Sequence, residues 1–222
     1  MPVNYTSDTK YTDHKALIAH AKGLPGGENS HIDDGMCFSL SLEYLYQYGR
    51  MVNPDAKGLW TTIMDSMLRE DMGRGTRLLT VVKTQETYQL QQGKSSDVLI
   101  AEGMSTISAG TKRVLFYGHS DLAGDVAKLV RVIDHVCDLL NNGHSVLLCY
   151  LFERPQGKLC GHAVACVTGV TSGFPQAQWW MFDPAKGTRR ANRPGKDGFK
   201  AVLNEYLTAS VHIAKVIDIA EF

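Results

Sequence analysis

The sequence predicts an α+β domain, in which helices from the first part of the chain pack on an antiparallel sheet formed mainly by the last third. The clearest helical patterns precede residue 142, whereas the runs 145–152, 161–170, 178–182 and 211–219 are β-branched or aromatic and are separated by glycine and proline. A length of 222 residues with 44% hydrophobic composition suits one sizeable domain.

The start of the chain is predicted to form an irregular N-terminal arm over residues 1–30, because this segment is polar, mixed in charge and ends in a Pro-Gly-Gly turn. The folded domain is then expected to span 31–222. Its first helix is predicted at 35–48 and its second at 57–72, where apolar residues recur at helical spacing.

The middle of the chain shows weaker periodicity. Short strands are predicted at 78–82 and 98–101, and a further strand at 113–117. The clearest helix of the chain is 121–142, whose apolar residues form one stripe. Another helix, predicted at 199–207, interrupts the C-terminal strands.

Composition excludes several classes of function. The 23 basic and 23 acidic residues give a net charge of zero, which argues against a general attraction to nucleic acid. No run reaches the roughly 20 apolar residues that a membrane-spanning helix needs, and the polar N-terminal segment lacks the apolar core of a classical signal peptide. Five cysteines, an odd number, predict free thiols in a reducing compartment.

Cys37 is the strongest candidate nucleophile, because it lies in the first turn of the helix predicted at 35–48. Unpaired N–H groups and the positive end of the helix dipole favour the thiolate there, and the thiolate is the form that attacks carbonyl carbon. Gly35 is expected to leave room for a substrate backbone beside the sulfur. The competing interpretation is a buried, inert cysteine, which we expect for Cys137 and Cys149 in their apolar segments.

A histidine and an aspartate lie on consecutive predicted strands. His162 follows Gly161 at the start of an apolar strand, where it can face a cleft; a core histidine bonded to a backbone carbonyl is the alternative. Asp183 ends the next strand, and Pro184 then forces a turn, which is also common without a catalytic role. Antiparallel pairing would let the carboxylate accept the imidazole N–H. Together with Cys37, this is the combination that thiol acyl transfer needs.

A zinc site is the metal alternative for the same strand, at Cys160, His162 and Cys166. It is disfavoured, because three residues on one strand do not converge tetrahedrally and the sequence contains no CxxC pair. No metal and no other cofactor is therefore expected.

Three short motifs contain the candidate residues: Gly35-Met36-Cys37 followed by a helix, Gly161-His162-Ala163-Val164-Ala165, and Phe182-Asp183-Pro184 with a following Gly187. In order and spacing they resemble the catalytic motifs of the YopT/AvrPphB family of secreted bacterial effector proteases, although Ala185 stands where that family tends to have asparagine. The resemblance implies a papain-like cysteine protease fold with Cys37 as nucleophile, His162 as base and Asp183 as the group that orients the base.

The resemblance also implies a second oxyanion donor, from a side chain shortly before the nucleophile, which points to His31 with Asn29 as a rival. It implies a protein or peptide substrate, and an effector or toxin that leaves the bacterial cytoplasm by a specialised secretion system and acts in the cytosol of a target cell. The basic run of Lys186, Arg189, Arg190 and Arg193 is a candidate contact for an acidic substrate or an anionic membrane.

Two other functions remain open at this point. A deamidase or transglutaminase uses the same Cys-His-Asp chemistry with a different acyl acceptor. A non-catalytic binding module would make the three motifs coincidental. The stretch 59–117 matches no pattern of the family, so the resemblance implies no substrate specificity.

Overall fold

The computed structural model describes residues 5–8, 14–28, 32, 35–51, 59, 61–63, 67, 72–91, 94–110, 114–120, 125–153, 159–169, 177–191, 195–210 and 216–221. In chain order its elements are β1 (Tyr5–Asp8), α1 (His14–Lys22), α2 (Cys37–Tyr48), α3 (Met72–Leu90), α4 (Ser96–Ser108), β2 (Leu115–Ser120), α5 (Val126–Asn141), β3 (Val146–Glu153), β4 (Leu159–Gly169), β5 (Gln178–Asp183), β6 (Gly187–Ala191), α6 (Lys196–Ser210) and β7 (Val216–Glu221). Over this described part of the chain, no helix has both the length and the apolar character needed to cross a bilayer.

The strands form one sheet, in which every neighbouring pair is antiparallel and the order of the strands differs from their order in the sequence. The order across the sheet is β1-β6-β5-β4-β3-β7-β2. The strands predicted at 145–152, 161–170 and 178–182 correspond to β3, β4 and β5, and the strand predicted at 113–117 corresponds to β2. The strand predicted at 211–219 overlaps β7 from residue 216 on, and its residues 211–215 lie outside the described residues. The predicted combination of helices with an antiparallel sheet is therefore confirmed.

Both faces of the sheet are covered by helices, which the sequence did not predict. On β4, Ala163 and Ala165 pack with α1 to α4 in one core, whereas Val164 and Cys166 pack with α5 and α6 in a second core. Burial on both faces explains why the central strands are almost continuously apolar in sequence instead of alternating with polar residues.

The prediction of an irregular arm over residues 1–30 is wrong for the residues of this segment that the structure describes. β1 pairs with β6 at one edge of the sheet, and Leu17, Ile18 and Ala21 of α1 lie in the first core. A strand of 4 residues and a helix of 9 residues are too short to be stable alone. They are stabilised by contacts with distant parts of the chain, which local periodicity does not reveal.

The short strands predicted at 78–82 and 98–101 are also wrong, since both segments lie inside helices, α3 and α4. Leu78, Val81 and Val82 are buried at positions three and four residues apart, which is helical spacing. The β-branched side chains of Val81 and Val82 suggested a strand, and tertiary packing overrode that propensity.

The remaining helix predictions agree with the structure where it describes them. The predicted helices 35–48, 121–142 and 199–207 correspond to α2, α5 and α6. For the predicted helix 57–72, the described residues 59, 61–63 and 67 are helical, and Leu59, Ile63 and Met67 are buried; the rest of that prediction lies outside the described residues.

Helix α2 lies deep in the first core and is fastened to its helical neighbours by a buried ion pair. Arg77 of α3 forms two hydrogen bonds with the Glu43 carboxylate, and a third with the carbonyl of Ile107 in α4 at 2.6 Å. Glu43 is 1% exposed. In addition, α4 approaches α2 at Gly103, where a Cβ atom would come within 2.8 Å of Leu42. These contacts fix the helix that begins with Cys37.

Candidate active site

Cys37 is the first residue of α2, and its side chain is partly exposed. The preceding Gly35 has φ +73°, a left-handed conformation that favours glycine, and a Cβ atom there would meet no described atom within 4 Å. The backbone conformation at residue 35 therefore favours glycine, and the expectation that Gly35 leaves room for a substrate backbone stays a prediction. Met36 at the N-cap makes no side-chain cap bond.

The first turn of α2 is capped from another helix. The Oε1 atom of Gln85 in α3 accepts a hydrogen bond from the Ser39 N–H at 3.1 Å. Because a helix leaves its first N–H groups without partners inside the helix, this bond satisfies one of them and fixes the turn that contains Cys37. Gln85 is 3% exposed, so the cap lies in the core.

Strand register brings His162 and Asp183 together. Phe182 of β5 pairs with Ala165 of β4, which sets Asp183 opposite Val164. His162 lies two residues before Val164 and on the same face, so it is the diagonal neighbour of Asp183. The Nε2 atom of His162 is 3.0 Å from Oδ1 of Asp183.

The thiol of Cys37 lies close enough to the His162 ring to raise the pKa of that ring. Since Nε2 faces Asp183, Nδ1 is the nitrogen that remains for the thiol. The three predicted site residues therefore lie together, in the order thiol, imidazole and carboxylate. The His162 side chain is 17% exposed and that of Asp183 is fully buried, so this row of groups runs from a partly open surface into the core.

Asp183 accepts hydrogen bonds from three different groups. In addition to His162, Oδ1 accepts from the N–H of Ala185 at 2.8 Å, and Oδ2 accepts from the Tyr206 hydroxyl at 2.7 Å. The Ala185 bond belongs to the tight turn that Pro184 begins. Asp183 is thus a turn residue and the partner of His162 at once, so the two interpretations of the Asp-Pro motif are compatible.

The protonation of the pair is shifted strongly by these contacts. Burial disfavours the imidazolium, but hydrogen bonds to Asp183 and Cys37 and the attraction of their charges outweigh it and raise the pKa of His162 to about 10. Burial likewise opposes ionisation of Asp183, yet its bonds to His162, Tyr206 and Ala185 lower the pKa to about 2. Around neutral pH the pair is an imidazolium beside a carboxylate.

Three residues that support the site were not predicted from the sequence: Tyr206, Tyr150 and Gln85. The hydroxyl oxygens of Tyr150 and Tyr206 are 3.0 Å apart and share a hydrogen bond. The Tyr150 ring packs edge-on against the His162 ring, with the ring centroids 5.5 Å apart. Each lies on an element whose sequence predicts only burial. The sequence offered one signal for them, a phenol hydroxyl or an amide group within an apolar stripe. Such a polar group needs a hydrogen-bond partner when it is buried.

Other predicted residues are placed as follows. His31, Asn29 and Arg193, and the side chain of Cys160, lie outside the described residues. Cys137, Cys149 and Cys166 are buried free thiols. Burial raises the pKa of Cys137 to about 12, and burial together with nearby Cys137 raises the pKa of Cys166. A high thiol pKa disfavours a nucleophile.

The basic run is divided between the two faces of the sheet. Lys186 and Arg189 lie over the ring of Tyr206 at 5.1 and 5.6 Å from its centre. Arg190 instead lies over Trp180 at 5.4 Å, in the first core. Successive residues of a strand point to opposite faces, so this run is not one continuous patch.

Comparisons with known proteins identify a fold relative. No family model matches the sequence, and no curated protein matches it. Among solved structures, the crystal structure of the Pseudomonas avirulence protein AvrPphB is similar, with a TM-score of 0.50 and 15% sequence identity over 84% of this chain and 90% of that chain. The protein therefore has a mixed fold of helices and an antiparallel sheet similar to that of AvrPphB.

Proposed function

We propose that the protein is a cysteine-dependent peptide hydrolase with a papain-like arrangement, in which Cys37 is the nucleophile, His162 the general acid and base, and Asp183 the group that orients His162. The observation that supports this proposal above all others is the 3.0 Å contact between His162 and Asp183, together with a Cys37 thiol close enough to the ring to raise its pKa. The cysteine lies at a helix start, where the dipole favours its negative form.

The reaction follows from these contacts. The Cys37 thiolate attacks the scissile carbonyl carbon, and the carbonyl π electrons move to oxygen. The His162 imidazolium gives its Nδ1 proton to the leaving nitrogen, and the C–N bond breaks to leave a thioester on Cys37. Neutral His162 then removes a proton from water, the hydroxide attacks the thioester, and the thiolate leaves. The acid product and the imidazolium–thiolate pair result.

The developing oxyanion needs donors near the sulfur. The N–H of Cys37 is proposed as one, since the first N–H groups of a helix have no partner inside the helix. His31, with Asn29 as a rival, is proposed as the second. Loss of one oxyanion donor typically raises the barrier by about 2.7–4 kcal/mol. Separate replacement of His31 and Asn29 by alanine should therefore slow turnover strongly for one residue and hardly for the other.

A wider role is proposed on two supports, the motif resemblance to the YopT/AvrPphB family and the fold shared with AvrPphB. The protein would act as an exported bacterial effector or toxin on a protein in the cytosol of another cell. A reducing cytosol suits a working thiol and the free buried cysteines of the two cores. An acidic substrate segment or an anionic membrane would meet the exposed Lys186.

The proposal is tested by activity-based labelling with an epoxysuccinyl probe, followed by peptide mapping. We expect selective labelling of Cys37, and none in the variant Cys37→Ala. Cys149→Ala is the matched control, because that thiol is buried in β3, 8% exposed, and should leave labelling unchanged. Slow and uniform labelling of all five cysteines would favour a binding module instead.

The reaction type is tested by mass spectrometry of a proteome or peptide library incubated with the protein. New termini that disappear with Cys37→Ala support peptide hydrolysis. Conversion of glutamine to glutamate, or new glutamine–lysine cross-links, would instead identify a deamidase or a transglutaminase. Full turnover by Cys37→Ala would overturn the assignment of the nucleophile.

A further inference from the structure

The second oxygen of Asp183 is held by a residue outside the proposed triad. Oδ1 is shared by His162 and the Ala185 N–H, whereas Oδ2 accepts from the Tyr206 hydroxyl at 2.7 Å. Tyr206 lies on α6, which contributes no other group to the site, and is 4% exposed. The bond is therefore shielded from water, where a hydrogen bond to a charged group is strong.

The direction of the hydrogen bonds can be deduced. An ionised carboxylate only accepts, so the hydrogen of Tyr206 points at Asp183. The 3.0 Å contact between the two phenol oxygens then requires Tyr150 to donate to Tyr206. Tyr206 and His162 thus both contact the Asp183 carboxylate, and Tyr150 supports Tyr206. The Tyr150 ring also packs against the His162 ring at an interplanar angle of 75°.

We propose that Tyr206, supported by Tyr150, is a positioning residue that fixes the plane of the Asp183 carboxylate and keeps Oδ1 on the His162 Nε2–H. Its consequence for catalysis rests on the proposed hydrolase function. Because both of its oxygens accept hydrogen bonds, rotation of the carboxylate is restricted. The imidazole is thereby held in the orientation that presents Nδ1 to Cys37.

The charged and titratable groups around Asp183 agree with this role. His162 faces it from β4 and Tyr206 from α6, and Cys37 of α2 acts through His162. Lys186 and Arg189 lie over the Tyr206 ring. The hydroxyl of Tyr206 helps to keep the pKa of Asp183 low, and burial raises the pKa of Tyr206 far above its ordinary value, so Tyr206 remains a donor.

The test compares Tyr206→Phe with Tyr48→Phe. Tyr48 is the matched control, because its hydroxyl is also partly buried and donates to a carbonyl, that of Thr168, away from Asp183. Iodoacetamide alkylation of Cys37, read by peptide mapping, reports thiol activation without a known substrate. We expect Tyr206→Phe to slow it on the order of tenfold, as expected for a small misplacement of a reacting group. In Tyr48→Phe, Cys37 should be alkylated at the wild-type rate.

A double variant separates positioning from simple stability. If Tyr206 acts through Asp183, then Tyr206→Phe combined with Asp183→Asn should alkylate no more slowly than Asp183→Asn alone. Titration of His162 by NMR should give a lower pKa in Tyr206→Phe than in the wild type. Tyr150→Phe removes only the donor that supports Tyr206. It should lower the alkylation rate of Cys37 and the pKa of His162 by smaller amounts than Tyr206→Phe does.

The outcomes distinguish this inference from the proposed function. Wild-type alkylation in Tyr206→Phe, additive effects in the double variant, or an unchanged or higher His162 pKa would overturn the positioning role. If Cys37 of the wild type reacts no faster than glutathione at the same pH, the proposed hydrolase function fails. The His162 titration would still decide whether Tyr206 positions the Asp183–His162 pair.

Discussion

The hydroxyl of Ser41 donates a hydrogen bond to the carbonyl oxygen of Ala163 at 3.0 Å, and this bond sets α2 against β4. Cys37 lies about one helical turn before Ser41, and His162 immediately precedes Ala163. The bond therefore lies directly behind the proposed nucleophile and base. This bond helps to define the register of α2 against β4.

Ser41→Ala is expected to loosen this register. It should lower the free energy of unfolding by about 1 kcal/mol, the usual contribution of one hydrogen bond, and it should slow alkylation of Cys37. Ser39→Ala is the control, because the Ser39 hydroxyl bonds only within the same turn, to Met36. Urea unfolding and thiol alkylation measure the two effects. Equal alkylation rates in both variants would contradict a role for the Ser41 bond in placing Cys37.

Stability should fall on the alkaline side because of His162. Its pKa is raised from 6.5 to about 10 in the folded protein, so protonation stabilises the fold fully below 6.5 and this contribution is lost as pH rises towards 10. His162→Gln removes the titration, and its unfolding free energy should decline less over that range. The difference should be on the order of a few kcal/mol. Urea unfolding at a series of pH values checks it, and parallel profiles would exclude the coupling.

Ionisation of Asp183 should affect the pH dependence of stability in the opposite direction to protonation of His162. Its pKa is lowered from 3.8 to about 2, so the ionised carboxylate stabilises the fold above 3.8 and loses this contribution as pH falls towards 2. Asp183→Asn should therefore show a flatter acid limb than the wild type in urea unfolding curves. An acid limb as steep as that of the wild type would assign acid unfolding to other carboxylates.

Gln85→Leu is expected to weaken the start of α2. The variant leaves the buried Ser39 N–H without its acceptor, which should cost about 1–3 kcal/mol of unfolding free energy. Thr84→Val is the neighbouring control, since the Thr84 hydroxyl bonds only within α3, to Thr80. Slower alkylation of Cys37 in Gln85→Leu alone would show that the cap also serves the thiol. If both variants unfold alike, the Gln85 cap contributes nothing specific.

The ion pair between the buried Glu43 and the partly buried Arg77 should show strong coupling. Arg77→Met leaves a carboxylate that is 1% exposed without its cation, and loss of one partner of a buried pair typically costs about 3–5 kcal/mol. Adding Glu43→Gln removes the uncompensated charge, so the double variant should be more stable than Arg77→Met. A double-mutant cycle by urea unfolding measures this coupling, and strictly additive effects would show that the two charges do not interact.

Local sequence was sufficient for the parts of the fold that obey a simple period. The helix 121–142 has one apolar stripe and was predicted to within a few residues of α5. The C-terminal strands are apolar, β-branched and bounded by glycine and proline. The candidate site residues Cys37, His162 and Asp183 could be selected for the same reason, because their setting at a helix start, a strand and an Asp-Pro turn is readable within a few neighbours.

The segments that failed depend on distant partners. β1 is a strand because Tyr5 to Asp8 lie beside β6, and 78–82 is helical because Leu78 and Val82 fill the first core. Neither fact has a local signature. The same holds for the basic run, whose members Arg189 and Arg190 separate only once the strand and its two faces exist.

The amino-acid sequence alone thus identified a thiol, an imidazole and a carboxylate as candidate site groups, since the local sequence features that distinguish them extend over only a few residues. Tertiary structure alone decided which groups touch them. Strand register made Asp183 the diagonal neighbour of His162, and the packing of α6 on the second face brought Tyr206 to the free carboxylate oxygen. Hydrogen bonds act over about 3 Å, whereas their partners here lie far apart in sequence, so only the folded chain can specify them.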